Sequence, residues 1–163
     1  MKGRKFKMGE LRRSPCPVAN TLDLVGDKWS LLIIRDIMFQ GKNTYGDFAQ
    51  SAEKIATNIL ADRLMLLEEA GIVEKKDHPE SKAKFYYRLT EKGIDLMPLL
   101  MEVILWGDKY MDISAEARIF ARQIRKDKGR LLKALSVDLR KQRTKERART
   151  SLPATKAPRT RTT

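Results

Sequence analysis

The stretch EKIATNILADRLMLLEEAGIVEKK, Glu53 to Lys76, reads as a helix that stops at a glycine and turns into a strand. Ile59, Leu60, Leu64, Leu67 and Ala70 recur at three and four residues, which is one face of a helix. Gly71 stands where a left-handed C-terminal stop is expected. The other edge carries Thr57, Asn58, Ala61, Asp62 and Met65, which are small, polar or mobile. Its neighbours decide the fold, and what that edge touches decides the function.

Upstream, PVANTLDLV is predicted helical, opened by Pro17 and closed by Gly26. DKWSLLIIRDIMF follows, with Asp27 as candidate N-cap and a wide apolar face of Leu31, Leu32, Ile34, Ile37 and Met38. A short helix is expected around Tyr45–Gln50, with Thr44 and Asp47 at capping-box spacing. Downstream, IVEKKDHPESKAKFYYRLT reads as a hairpin, with strands at Ile72–Lys76 and Phe85–Leu89 and a polar tip from His78 to Lys84. Thr90 caps another helix running to about Tyr110, with Pro98 expected to kink it. From Ile94 to Trp106 that helix is apolar nearly all round, so it needs cover on every side. A small domain is not expected to supply it, which predicts a helix packed between two subunits. Val18, Leu22, Leu96, Leu100, Val103, Ile104 and Trp106 are the candidate interface residues.

The chain has 163 residues, 42% of them hydrophobic, and a net charge of +13 that is unevenly placed. Residues 1–13 carry a net +5, residues 14–113 a net −4 and residues 114–163 a net +12. A slightly acidic globular body thus stands between two basic arms, and basic arms attract polyanions. The expected organisation is a basic flexible arm at 1–13 and a folded DNA-binding and dimerisation domain at 14–112. A basic amphipathic helical extension at 113–143 and a basic disordered tail at 144–163 follow. No apolar run is long enough for a membrane span, and no signal peptide is visible, so a cytoplasmic, nucleoid-associated protein is expected.

Helix, helix, short helix, helix, hairpin, helix is the order of a winged helix-turn-helix, mostly α with a small β-hairpin wing. In such units the second helix of the pair enters the major groove. Thr57, Asn58, Ala61 and Asp62 are then the candidate base readers: Asn58 suits adenine, and Asp62 can accept from cytosine. Lys54 and Arg63 on the same helix, with His78, Lys82 and Lys84 in the wing, are the candidate phosphate contacts. Arg63 could instead pair with Asp62 or Glu68. The competing reading of the helix is an ordinary solvated face. The competing functions are a non-specific architectural nucleic-acid protein and a winged-helix protein-interaction module.

Three segments, CPVANTLDLVGDKWSLLIIRDI, IATNILADRLMLLEEAGIV and YRLTEKG, occur in an order that resembles the HxlR family of bacterial, MarR-like winged-helix transcription regulators. The resemblance covers roughly residues 14–110. It implies a homodimer held by its first and last long helices on pseudo-palindromic double-stranded DNA, with Thr57, Asn58, Asp62 and Arg63 on the recognition helix and Lys82 and Lys84 in the wing.

Cys16, the single cysteine, lies between two prolines after Arg12 and Arg13 at a helix start, a setting that favours thiolate. Some regulators similar to HxlR use a cysteine near this position to sense oxidants or electrophiles, and this resemblance makes Cys16 a redox-sensing candidate. The alternative is a small buried residue. One histidine and one cysteine far apart make no metal set, and neither a phosphate loop nor a nucleophile triad is present. No enzyme activity, metal or cofactor is expected; double-stranded DNA and a second copy of the chain are the expected partners, with no effector indicated.

Overall fold

The computed structural model describes residues 14–78 and 81–150. The expected arm at 1–13 and the part of the tail at 151–163 lie outside these residues. The chain forms α1 (Pro17–Val25), α2 (Ser30–Phe39), α3 (Tyr45–Ala49), α4 (Thr57–Glu69), β1 (Val73–His78), β2 (Ser81–Leu89), α5 (Glu91–Ile94), α6 (Met97–Tyr110), α7 (Ala115–Lys126) and α8 (Lys128–Thr150). The fold is mostly helical with one two-stranded antiparallel sheet.

α2 is the central helix. Ile33, Ile34, Ile37 and Met38 are buried on it, among Phe48 of α3 and Leu60, Leu64 and Leu67 of α4. Asp27, the expected N-cap, is not at that position: the cap falls at Trp29 without a side-chain bond, and Asp27 holds the start of α2 from two residues earlier. Its carboxylate accepts from the Trp29 amide at 2.8 Å, the Ser30 amide at 3.1 Å and the Ser30 hydroxyl. The Thr44 capping box closes both ways: the Asp47 amide donates to Thr44 Oγ1 at 3.2 Å, and the Thr44 amide donates to Asp47 Oδ2 at 2.9 Å.

The strands pair from Val73↔Leu89 to Asp77↔Phe85, then shift register so that His78 faces Ser81. They run further than the sequence indicates, so His78, Lys82 and Lys84 belong to strands and not to a loose tip. The base of this wing is tied to the end of α4. Gly71 takes the left-handed φ of +65° that ends α4. Thr90 Oγ1 then donates to the Gly71 carbonyl at 2.6 Å, and Lys92 Nζ donates to the Ala70 carbonyl at 2.8 Å. A Cβ on Gly93 would lie 2.2 Å from the Ile72 carbonyl oxygen, so the final glycine of YRLTEKG lets α5 approach the wing base.

Two helix expectations are corrected here. Pro98 does not kink a continuous helix. The chain breaks at Asp95–Leu96, and Pro98 occupies the first turn of a new one, α6, where its missing N–H costs no hydrogen bond. Residues 144–150, expected in the disordered tail, continue α8 as helix.

α6 receives cover from its own chain. The extension folds back: Phe120 meets Phe39 with ring centroids 5.2 Å apart, Ala121 and Ile124 are fully buried, and Leu139 joins the same core. Asp108 of α6 pairs with Arg125 of α7 at 2.5 Å, and Glu102 pairs with Lys128. Leu100, an expected interface residue, is buried inside the chain, while Leu96 and Ile104 pack half-buried against the core. Val103 and Trp106 remain exposed on α6, in line with Leu99 and Tyr110 at helical spacing, and Val18 and Leu22 are exposed on α1.

Candidate DNA-binding surface

α4 is held on three sides. Leu60, Leu64 and Leu67 seat it on the core, the Tyr45 hydroxyl of α3 donates to the Thr57 carbonyl at 2.7 Å, and the Thr90 contact fixes its far end. Thr57, Asn58, Ala61, Asp62 and Met65 all face outward, as the periodicity indicates. A rigid helix with a small-residue edge can approach a groove closely, which is the geometry a base-reading element needs.

Two of the expected cations sit elsewhere. Lys54 is not on the helix. A turn closes from Ser51 to Lys54, where the Lys54 amide donates to the Ser51 carbonyl at 2.9 Å, and Lys54 takes a left-handed φ of +52° before irregular residues lead to Thr57. Arg63 pairs with neither Asp62 nor Glu68. It is half-buried, with Nε 3.4 Å from Asp27 Oδ1, and so links α4 to the turn between α1 and α2.

The turn carrying Lys54 rests on a network that sequence reasoning missed. Arg35 grips Glu53 with both nitrogens, at 2.6 and 3.1 Å, and also bonds its neighbour Asp36. Asp36 is buried and accepts from Lys42 Nζ at 3.1 Å and Ser51 Oγ at 2.5 Å. The hydrogen bond from Arg35 holds the Glu53 carboxyl down at a pKa of about 2. Its one sequence signal is an aspartate set among Ile33, Ile34 and Ile37 on a helix that is otherwise apolar on that side.

In the wing, Arg88 donates from Nε to Glu74 Oε1 at 2.8 Å and from NH1 to the Arg143 carbonyl at 3.0 Å. Burial pushes the Glu74 carboxyl up, but the bond and charge of Arg88 outweigh it and leave it below the usual range. Lys76 is exposed, and Lys75 Nζ lies 3.9 Å over the ring of Phe85, itself exposed. These wing groups were not singled out from sequence, although alternation along a strand could have shown them.

Cys16 caps α1 from an extended backbone and is exposed, so the buried alternative does not describe it. Among the described residues no group of three metal-binding side chains occurs, and no helix is long and apolar enough to cross a membrane.

A capped short helix, a turn, an anchored helix with a free polar edge and a paired-strand wing define a winged helix-turn-helix DNA-binding protein. The HxlR-like helix-turn-helix family matches residues 24–115, and this chain belongs to that family of transcriptional regulators. The HTH-type regulator YdeP of Bacillus subtilis, itself uncharacterised, is 33% identical over 97 residues, 60% of this chain and 75% of YdeP. YodB of the same organism is 33% identical over 98 residues, 60% of this chain and 87% of YodB. The redox regulator HypR in its oxidised form is similar in structure, with a TM-score of 0.54 at 32% identity, covering 60% of this chain and all of HypR.

Proposed function

We propose that the protein binds pseudo-palindromic operator DNA as a homodimer and reads it with α4. The observation that carries this is the outward edge of Thr57, Asn58, Ala61 and Asp62 on a helix fixed at both ends. Asn58 and Thr57 lie in the first turn, the part of a recognition helix that reaches base edges. Lys54, beside that turn, and His78, Lys82 and Lys84 in the wing hold phosphates. Arg63 acts through Asp27 by fixing the pitch of α4. The exposed strip of Val103 and Trp106, together with Val18 and Leu22, is the surface offered to the second subunit. Two-fold symmetry then sets the recognition helices about 34–36 Å apart.

The test is fluorescence anisotropy on a labelled duplex from upstream of the protein's own gene, against excess unrelated duplex. Saturation at two subunits per site, with discrimination of about 10³-fold or more, supports the reading. Equal loss of binding to any duplex moves the weight to an architectural role.

Redox control through Cys16 is a second reading, favoured by its exposure at the start of α1, beside the proposed subunit contact. HypR, a relative in structure, is a redox regulator. Diamide treatment followed by non-reducing gels and DNA titration tests it; unchanged mobility and affinity rule it out.

A further inference from the structure

The recognition helix itself is acidic. From Thr57 to Glu69 it carries Asp62, Glu68 and Glu69 against one arginine, and that arginine is turned to Asp27. A helix of that sign does not draw a polyanion, so the attraction must come from elements around it. The densest cationic segment of the fold is the second half of α8, where residues 140–150 hold six Lys/Arg and one Glu.

We propose that residues 140–150 of α8 are a third DNA-contacting element, which lies beside the wing and holds phosphates of the duplex just outside the half-site read by α4. The proposal rests on the DNA-binding reading above.

The contacts of α8 place Arg143. Ser136 lies against Met97 of α6. Leu139 and Gln142 then line a crevice with Ile37, Tyr87, Arg88 and Leu89. Arg143 follows, with its carbonyl accepting from Arg88, its Nε 3.6 Å from Glu74, and NH1 2.5 Å from Glu91. Arg140 adds a second bond to Glu91 at 2.8 Å. Asn43 lines the same crevice, so Arg143 stands beside the base of the wing and the residue that leads into α3.

The same end of the domain holds the start of α4. The Tyr87 amide donates to the Asn43 carbonyl at 2.7 Å, Thr44 bridges to Tyr86, and Tyr45 reaches Thr57. Past Arg143 the helix continues seven residues to Thr150, about 10 Å at ~1.5 Å per residue. A solvated charged helix would need no anchor; this one is tied to Glu74 of the wing and to Glu91 of α5, with Arg143 in the crevice that Asn43 lines.

The full-length protein and its K145Q/R147Q/R149Q variant are titrated on a labelled mixed-sequence duplex of about 40 base pairs, roughly four helical turns. Salt is varied between about 50 and 200 mM. The three positions lie beyond the last described core contact of α8, so the melting temperature serves as the control for folding. The expected result is an unchanged melting temperature and a log–log salt slope flatter by up to about 0.9 per lost phosphate contact, or roughly 3 per subunit. Hydroxyl-radical protection should also retreat by about three base pairs at each outer edge, at ~3.4 Å per base pair. A variant with the wild-type slope and footprint overturns the proposal and leaves the DNA-binding reading standing. A wild-type protein that binds no duplex overturns both. A slope change on RNA with none on duplex DNA overturns it in favour of an RNA partner.

Discussion

α4 and α8 bury one face each in the same core and differ in what they leave outside. α4 presents small and polar side chains and a net negative charge; α8 presents arginines and lysines. On the proposed reading the former would tell one base from another with little pull on a backbone, and the latter would have the pull without telling bases apart. Specificity and attraction would then sit on separate elements, joined where Arg88 of the wing donates to the Arg143 carbonyl.

The largest expected effect tests whether the extension belongs to the body that holds α4. Leu64 of α4 and Ile124 of α7 are both buried in the core. Leu64→Ala and Ile124→Ala should each cost about 2–5 kcal/mol in urea unfolding. If α7 and α8 were an appendage, Ile124→Ala would leave the main transition where it is, and the comparison between the two helices would lose its footing.

That the extension joins the core was not legible in the sequence. Periodicity showed α7 and α8 as amphipathic, but an apolar stripe does not say which surface it covers. The same limit misplaced Leu100 as an interface residue: the stretch from Ile94 to Trp106 is apolar nearly all round, and only the folded chain shows that α7 covers part of it. Local chemistry was read well where neighbours in sequence decide it. The Thr44–Asp47 box, the Gly71 stop and the outward edge of α4 are cases of this. Arg63 went the other way, because its partner Asp27 lies on a different element, whereas sequence spacing offers only Asp62 and Glu68.

The next effect sharpens the reading role. Asn58 is exposed and contributes no packing, so Asn58→Ala should leave stability within about 0.5 kcal/mol. It should relax base preference at one position in each half-site by about 1–3 kcal/mol, measured by binding a randomised duplex pool and sequencing what is retained. Preference that survives intact would remove α4 as the reader.

A smaller effect concerns the Arg35–Glu53 pair that supports the turn before α4. The folded Glu53 carboxyl titrates at about 2 against an ordinary 4.5, so its depressed pKa stabilises the fold above pH 4.5 and that contribution is lost as pH falls toward 2. The pair is partly open to solvent, which limits its worth to about 1 kcal/mol or less. Glu53→Gln should therefore be less stable than wild type at neutral pH, with the gap closing through the acid range. A gap independent of pH would mean that the pair's charge is not what holds the turn.

The smallest expected effect is also the one that separates folding from function at a single residue. Lys54 holds a left-handed backbone at φ +52°, which costs a side-chain-bearing residue about 1–2 kcal/mol and glycine almost nothing. Part of the relief in Lys54→Gly is offset by the greater freedom of glycine in the unfolded chain, about 0.4–1 kcal/mol. The net gain should be a few tenths of a kcal/mol, read as a slightly higher urea midpoint. If the lysine is placed at that strained position to meet a phosphate beside Thr57, the more stable variant should bind all duplexes more weakly and with a flatter salt dependence. A variant that is more stable and binds as well would leave the strain unexplained and shift the phosphate-holding role to the wing and α8.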